Sequence, residues 1–226
     1  MENSKELKEK LFMKRQNGLF RMSEQEIAEC DSFCESYKDF MNTAKIEREA
    51  VNYTVELLKN NGYVEYKSGM PLNAGDKIYR NNRGKAIIMA VIGTAPIEEG
   101  VKLCAAHIDS PRLDLKQNPL YESNEIALFK THYYGGIKKY QWTTIPLALH
   151  GVIIKADGTS VTVNIGEDEN DPVFCVSDLL PHLATEQMTK NLAKAITGEQ
   201  LNLIVGSRPF RDDKESELVK LNIMNI

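Results

Sequence analysis

The spacing of apolar residues changes along this chain, and that change most limits the folds that are open to it. Residues 27–58 carry apolar side chains at the 3.6-residue period of helices, whereas residues 63–107 form short apolar segments separated by turn residues. From Arg112 onward the pattern becomes that of a β-rich chain. We therefore expect an α/β domain with a β-rich domain inserted into it or appended to it.

Two helices open the predicted α/β part. Ser23 and Glu26 form a capping box ahead of an apolar stripe at 27–40, and a second amphipathic helix covers residues 46–58. The Asn-Asn-Gly sequence at 60–62 supplies residues that readily close a helix in the left-handed conformation. We expect the apolar stripe to pack in a core.

Four strands are predicted to follow, at residues 63–66, 77–80, 85–93 and 101–107. Residues 87–92 are all apolar, which is typical of a strand that is buried on both faces. Helices would then cover the sheet from both sides, so the sequence favours a layered α/β core.

The β-rich part contains an Asp-Gly pair at 157–158, which is a strong hairpin signal. The elements predicted in this part are hairpin strands at 150–156 and 159–165, a helix from its cap at 177–178 to Gly198, a strand at 200–206, and the start of a helix within 215–226. The last helix stops without a cap or tail, so we expect this chain to be part of a longer protein.

The composition argues against several functions. The 226 residues include 28 Lys and Arg against 32 Asp and Glu, and the formal net charge of -4 gives no electrostatic basis for binding nucleic acid. The longest apolar stretches are far shorter than the roughly 18 residues of a membrane helix, and the first residues lack the apolar region of a secretory signal. Cys30, Cys34, Cys104 and Cys175 lack Cys-x-x-Cys spacing, which favours free thiols in a reducing cytoplasm.

The sequence His107-x-Asp109 is the one spacing with catalytic content. It follows the predicted strand 101–107, and sites in α/β folds gather at the carboxyl ends of strands. Period-2 geometry places both side chains on one face, where a carboxylate can orient an imidazole that binds a metal. The alternative is a core or surface histidine that Asp109 holds in place.

The other histidines, His132, His150 and His182, lack metal-ligand spacing and are each expected to be hydrogen-bonded structural residues. An aromatic group lies between residues 133 and 142, and it comprises Tyr133, Tyr134, Tyr140 and Trp142. This group is expected to form an oligomer interface, with a binding surface as the alternative.

The segment His107-Ile-Asp109-Ser-Pro111 resembles the His-x-Asp-Ser-Pro segment of the aspartyl aminopeptidase and aminopeptidase I family, whose members are dinuclear zinc exopeptidases. Further segments resemble the family in the same order, at 130–142, 146–151, 180–184 and 206–209. The run around 133–142 is long and unusual, and is similar to the bacterial branch. A different metallohydrolase that shares only His-x-Asp would require these matches to be accidental.

The resemblance implies a phosphorylase/hydrolase-like α/β catalytic domain that is interrupted by a β-rich dimerisation domain, in subunits that assemble into tetrahedral dodecamers. Residues 1–111 would be the N-terminal part of the catalytic domain, and residues 112–209 the inserted domain. Residues 210–226 would be the truncated start of the return into the catalytic domain.

The same resemblance implies roles for three residues. His107 would be a zinc ligand, Asp109 the catalytic carboxylate that supports it, and His182 a substrate-binding residue that reaches a neighbouring subunit's active site. The family holds two zinc ions per site, and cobalt or manganese would accept the same ligand types. The implied activity removes N-terminal amino acids from peptides by attack of a metal-activated hydroxide. The expected partners are peptides and further copies of the chain, in the cytoplasm and without nucleic acid or membrane.

Family members are about twice as long as this chain. Five of their site residues, which are three carboxylate metal ligands, a glutamate general base and a final histidine ligand, lie beyond the inserted domain. We therefore expect the chain to be inactive alone. The alternative is a non-catalytic dimerisation or assembly module, or the product of a decayed gene. The gene sequence downstream of Ile226 distinguishes these possibilities, because an in-frame continuation with metal ligands favours an enzyme.

Overall fold

The computed structural model describes residues 3–211 and 215–226. The chain separates into two compact units, Met1–Pro96 and Ile97–Ile226. The domain boundary expected at 111/112 stays a prediction, as does the return into the catalytic domain, part of which falls on residues 212–214, outside the described residues.

The first unit combines helices with a small mixed sheet. Its elements are α1 (Ser4–Leu11), α2 (Glu24–Thr43), α3 (Glu47–Asn60), β1 (Val64–Glu65), β2 (Lys77–Asn82) and β3 (Ala86–Val91), with a 3-10 turn at Gly18–Arg21. The strand order is β1-β2-β3, with β1 parallel and β3 antiparallel to β2. The two helices and first three strands predicted from the sequence are therefore confirmed, apart from shifts at their ends.

The predicted capping box begins α2. The Glu26 amide donates to the Ser23 hydroxyl at 3.3 Å, and the Ser23 amide donates to the Glu26 carboxylate at 2.8 Å. These two bonds satisfy amides that a helix start otherwise leaves unpaired.

The expectation that the α2 stripe lies in a core is wrong. No described residue of α2 is buried, and Phe33 is 70% exposed. Within the described part of this unit, α2 packs against α3, where Phe40 meets the edge of Tyr53 with ring centroids 5.3 Å apart. One neighbouring helix covers too little surface to bury a stripe of this width.

The expectation that residues 87–92 form a strand buried on both faces is also wrong. Ile88 is 74% exposed and Val91 56% exposed. Strand β3 lies at an edge of the described sheet, and α3 is the helix that packs against β2 and β3. A continuous apolar run thus indicates a strand that could be buried on both faces. Burial of both faces also requires an element that packs on each side of the sheet.

The second unit is β-rich, as predicted. Its elements are β4 (Arg112–Ser123), β5 (Ile126–Tyr134), α4 (Lys139–Trp142), β6 (Leu149–Ile154), β7 (Ser160–Ile165), β8 (Cys175–Val176), α5 (Thr185–Met188), α6 (Leu192–Ala195), β9 (Leu203–Gly206) and α7 (Leu218–Met224), with 3-10 turns at Ile97–Glu99 and Gly198–Gln200. An antiparallel sheet has the order β4-β5-β9-β8, and β6 and β7 form a separate hairpin.

Turn chemistry sets both hairpins. Asn124 and Glu125 join β4 to β5 with φ values of 51° and 58°, the left-handed conformation that a two-residue turn of the I′ type needs. In the predicted β6–β7 hairpin, the Asp157 carboxylate accepts from the Thr159 amide at 2.9 Å, and Gly158 has a φ of 83°. The register of β4 against β5 shifts between Leu115 and Leu120.

The core of this unit is a cluster of five buried residues that includes members of β8 and β9. Phe174, Val176, Ile196, Leu201 and Leu203 form it, with Tyr140 and Trp142 packed against it. Half of the aromatic group at 133–142 therefore supports the core, and this half is not an open binding surface.

Two predicted elements are absent from the described structure. Residues 177–198 do not form one helix: the Asp178 carboxylate accepts from the adjacent Leu179 amide at 2.8 Å, and Asn191 starts a new helix by accepting from the Ala193 amide at 2.9 Å. Residues 100–111 contain no strand, and Leu103 is 86% exposed. None of the described strands pairs with this segment, and an unpaired extended chain is not a strand.

The helix that was expected to start within 215–226 is present as α7, and it packs on the four-stranded sheet. Val219 is buried there, and the Lys220 amide donates to the Glu122 carboxylate at 2.9 Å. Among the described residues, the helices are all too short or too polar to cross a membrane.

Candidate functional site

His107 and Asp109 lie in the irregular segment that leads into β4. Nδ1 of His107 is 3.0 Å from the backbone oxygen of Asp109 and 3.1 Å from Asp109 Oδ1. Both partners can only accept a hydrogen bond, so Nδ1 carries the proton of the neutral ring and Nε2 keeps its lone pair. The His107 side chain is 82% exposed, which leaves Nε2 open to a ligand.

The carboxylate of Asp109 has a second partner. The Tyr134 hydroxyl donates to Asp109 Oδ2 at 2.7 Å. This bond is the main cause that holds the pKa of Asp109 below its ordinary value, and the Asp109 amide and His107 lower it further. Asp109 is therefore an anion and an acceptor at neutral pH.

Arg112 holds Tyr134 from the neighbouring strand. The two residues are directly opposite in the β4–β5 register, and the guanidinium lies over the Tyr134 ring, 4.2 Å from its centroid. The Arg112 Nε donates to Asp114 Oδ1 at 2.7 Å, and Arg112 also donates to the Ser110 backbone oxygen at 3.4 Å. The sheet thus positions a continuous set of polar contacts from Asp114 to His107.

Gly135 allows the irregular segment to lie against the end of β5. Its φ is 79°, and a Cβ at this position would lie 3.4 Å from the Cα of Pro111. The Gly-Gly pair after Tyr134 therefore lets the chain turn close to Pro111.

His182 is not part of this hydrogen-bond network among the described residues. It is exposed in the turn at 181–183 and makes no described hydrogen bond with His107 or Asp109. The structure brings His107 and Asp109 together, while the roles assigned to His107, Asp109 and His182 stay predictions.

The remaining histidines make structural contacts. Nε2 of His150 is 2.9 Å from the Glu167 carboxylate, and the His150 side chain is 9% exposed, so the expectation of a hydrogen-bonded structural residue is confirmed there. The His132 ring stacks on Tyr133 with centroids 5.8 Å apart.

The described residues fit one metal ligand and not a complete site. Among them, no group of three or more His, Cys, Asp or Glu side chains is placed to hold a metal ion. A catalytic zinc site takes three protein ligands, so His107 would need partners from elsewhere.

Tyr134, Arg112 and Asp114 are the residues of the network for which the sequence predicted no role at this site. Tyr134 lies 25 positions after Asp109, and only the strand register brings it close. The signal that points to it is the Tyr-Tyr-Gly-Gly run at 133–136, in which a tyrosine precedes a turn at the end of a strand.

Known proteins resemble this chain over nearly its whole length. A protein of Clostridium acetobutylicum named probable M18 family aminopeptidase 1 is 50% identical over 220 residues, which are 96% of this chain and 47% of that protein. The crystal structure of an M18 family aminopeptidase from Thermotoga maritima matches with a TM-score of 0.85 at 43% identity, covering 94% of this chain and 46% of that one. The mApe1 dodecamer of S. cerevisiae shares the fold, with a TM-score of 0.58 at 21% identity over 84% of this chain and 41% of that one.

The chain spans about half the length of the curated relatives it matches. Its mixed α/β structure matches that of the aminopeptidase from Thermotoga maritima. A sequence profile described as aminopeptidase I zinc metalloprotease (M18) matches residues 40–226. On this match and the 50% identity, the chain belongs to the aminopeptidase I family of zinc metalloproteases.

Proposed function

We propose that this chain is the N-terminal half of a cytoplasmic zinc aminopeptidase that removes N-terminal amino acids from peptides. Family membership supports the reaction class. The observation that carries the site is the arrangement of His107, whose Nδ1 lies 3.1 Å from the Asp109 carboxylate while the side chain is 82% exposed. An imidazole with its proton on Nδ1 is ready to bind a metal.

In this proposal His107 is a zinc ligand and Asp109 fixes its tautomer. A bound zinc ion would lower the pKa of a water molecule and polarise the peptide carbonyl. The remaining ligands and the general base would come from the missing half of the enzyme, and the chain alone would have no activity.

The second part of the proposal concerns assembly. Residues 112–209 would form the dimerisation domain, and His182 would contact substrate in a neighbouring subunit. The core around Leu201 and the exposed position of His182 support this division. The fold shared with the dodecameric yeast relative supports self-association.

The test is activity on aspartyl- and leucyl-p-nitroanilide with added zinc, cobalt or manganese. We expect no turnover by the chain alone. We expect metal-dependent turnover when the chain is co-expressed with the second half of the Clostridium acetobutylicum relative, because that half would supply the missing ligands.

His107→Ala should abolish the turnover of the co-expressed pair, and His132→Ala should retain it, since His132 is an exposed histidine outside the network. Turnover by the chain alone that is lost in His107→Ala would contradict the claim of an incomplete site. A stable but inactive co-expressed pair would favour the assembly module.

A further inference from the structure

We propose that Tyr134 is a positioning residue for His107, and that Arg112 holds Tyr134 in place for this role. The hydroxyl of Tyr134 fixes the Asp109 carboxylate, and this carboxylate, together with the Asp109 backbone oxygen, selects the tautomer of His107. The catalytic meaning of this arrangement rests on the proposed function, in which His107 binds the metal. The arrangement itself rests on contacts among the described residues.

The first step is that the two carboxylate oxygens of Asp109 have different partners. Oδ1 faces Nδ1 of His107 at 3.1 Å and Oδ2 accepts from Tyr134 at 2.7 Å. A carboxylate with a single anchor rotates about its last side-chain bond, whereas one that is held through Oδ2 keeps Oδ1 directed at its partner. Because the His107 side chain is 82% exposed, water competes for Nδ1, so its bond to Asp109 needs this second anchor.

The second step is the rigidity of Tyr134. It is the last residue of β5, and its backbone is paired with Arg112, the first residue of β4. The guanidinium lies 4.2 Å from the ring centroid and is itself held by Asp114 at 2.7 Å. A cation over a ring face is attracted to the π electrons and withdraws density from them, which makes the phenol a stronger donor to Asp109.

The third step concerns which ring nitrogen of His107 carries the proton. Only a ring with its proton on Nδ1 presents a lone pair on Nε2. An unconstrained imidazole instead favours the proton on Nε2. Loss of the Tyr134 hydroxyl would therefore release the Asp109 carboxylate and leave Nδ1 facing the Asp109 backbone oxygen at 3.0 Å. The exposed ring would then more often adopt the tautomer that cannot bind a metal through Nε2.

The experiment is long-range proton–nitrogen correlation NMR on the full chain labelled with ¹⁵N-histidine. The spectra are recorded at about pH 8, well above the ordinary histidine pKa of about 6.5. Wild-type His107 should show the Nδ1–H tautomer. Tyr134→Phe should shift part of this signal to the Nε2–H pattern, because the Asp109 backbone oxygen still faces Nδ1.

Tyr133→Phe is the matched control. It removes the neighbouring hydroxyl from a ring that contacts His132 and Lys139, not Asp109. The tautomer of His107 should be unchanged in this variant. An equal effect of both substitutions, or no effect of Tyr134→Phe in a folded chain, would overturn the proposal.

The wild-type spectrum is decisive without any substitution, because a dominant Nε2–H signal at His107 overturns the proposal even if Tyr134→Phe fails to fold. Failure of the proposed function is distinguishable. An inactive co-expressed pair together with a tautomer that depends on Tyr134 would remove the peptidase assignment and leave the positioning contact standing. An active pair with a tautomer independent of Tyr134 would support the peptidase assignment and remove the positioning role of Tyr134.

Discussion

Gly135 is the residue whose backbone conformation most directly supports the candidate site. Its φ of 79° lies in the left-handed region, and Pro111 packs against it. Gly135→Ala should lower the free energy of unfolding by about 1–2 kcal/mol, the usual cost of a left-handed conformation for a residue with a Cβ. Urea unfolding followed by circular dichroism measures this change.

Gly136→Ala is the control for Gly135→Ala. A Cβ at Gly136 would meet no atom within 4 Å, and its φ is not positive. The stability should therefore change by much less than in Gly135→Ala. Equal losses in the two variants would show that the turn, and not the conformation of Gly135, is what the substitutions disturb.

At the residue scale, the sequence predicts contacts that are close along the chain. The spacing of His107 and Asp109 predicted their hydrogen bond, and the spacing of Ser23 and Glu26 predicted the capping box. The contact of Tyr134 with Asp109 could not be predicted, because it depends on which residues of β4 and β5 are paired.

At the scale of elements, an ion pair connects β4 to the turn before β9. Lys116 Nζ donates to both carboxylate oxygens of Glu199, at 2.9 and 3.0 Å. These bonds lower the pKa of Glu199, so their contribution to stability is present above the ordinary glutamate pKa of about 4.3 and is lost as pH falls through the lower folded pKa.

Lys116→Met should therefore lower the urea midpoint at neutral pH, and this difference from wild type should vanish as Glu199 becomes protonated in both states. Lys190→Met is the control, since Lys190 pairs with Glu186 only four residues away along the chain and closes no long loop. A difference that stays constant down to about pH 3 would contradict an ionic origin.

The elements themselves were predicted where local signals decide them. Helices α2 and α3 and the β6–β7 hairpin have caps and turn residues of their own. The predicted strand at 101–107 and the long helix at 177–198 were wrong, because their formation depends on neighbours that the described chain does not place beside them. The period of the apolar residues predicts which face of a helix or strand can be buried. Packing against other elements decides whether that face is buried.

At the scale of the whole molecule, the first described sheet has an exposed apolar edge strand. Strand β3 lies at the edge of the described sheet, with Ile88 74% exposed and Val91 56% exposed. Apolar edge strands pair readily with other chains. Ile88→Lys should reduce concentration-dependent association, measured by light scattering, because a lysine at an edge opposes such pairing.

Asn82→Lys is the matched control for Ile88→Lys, since it adds the same charge at an exposed position of β2 in the same sheet. It should reduce association less. An equal reduction would indicate that net charge, and not the apolar edge, governs association.

The register shift in the β4–β5 hairpin has an evolutionary consequence. Residues 116–119 of β4 face the single residue Lys130 of β5, while the pairs on both sides of the shift stay in regular register. Chains that gain or lose a residue within 116–119 can keep Arg112 opposite Tyr134 without any compensating change. Natural variation in length is therefore expected to collect at this bulge, where it leaves the inherited geometry of the His107 site intact.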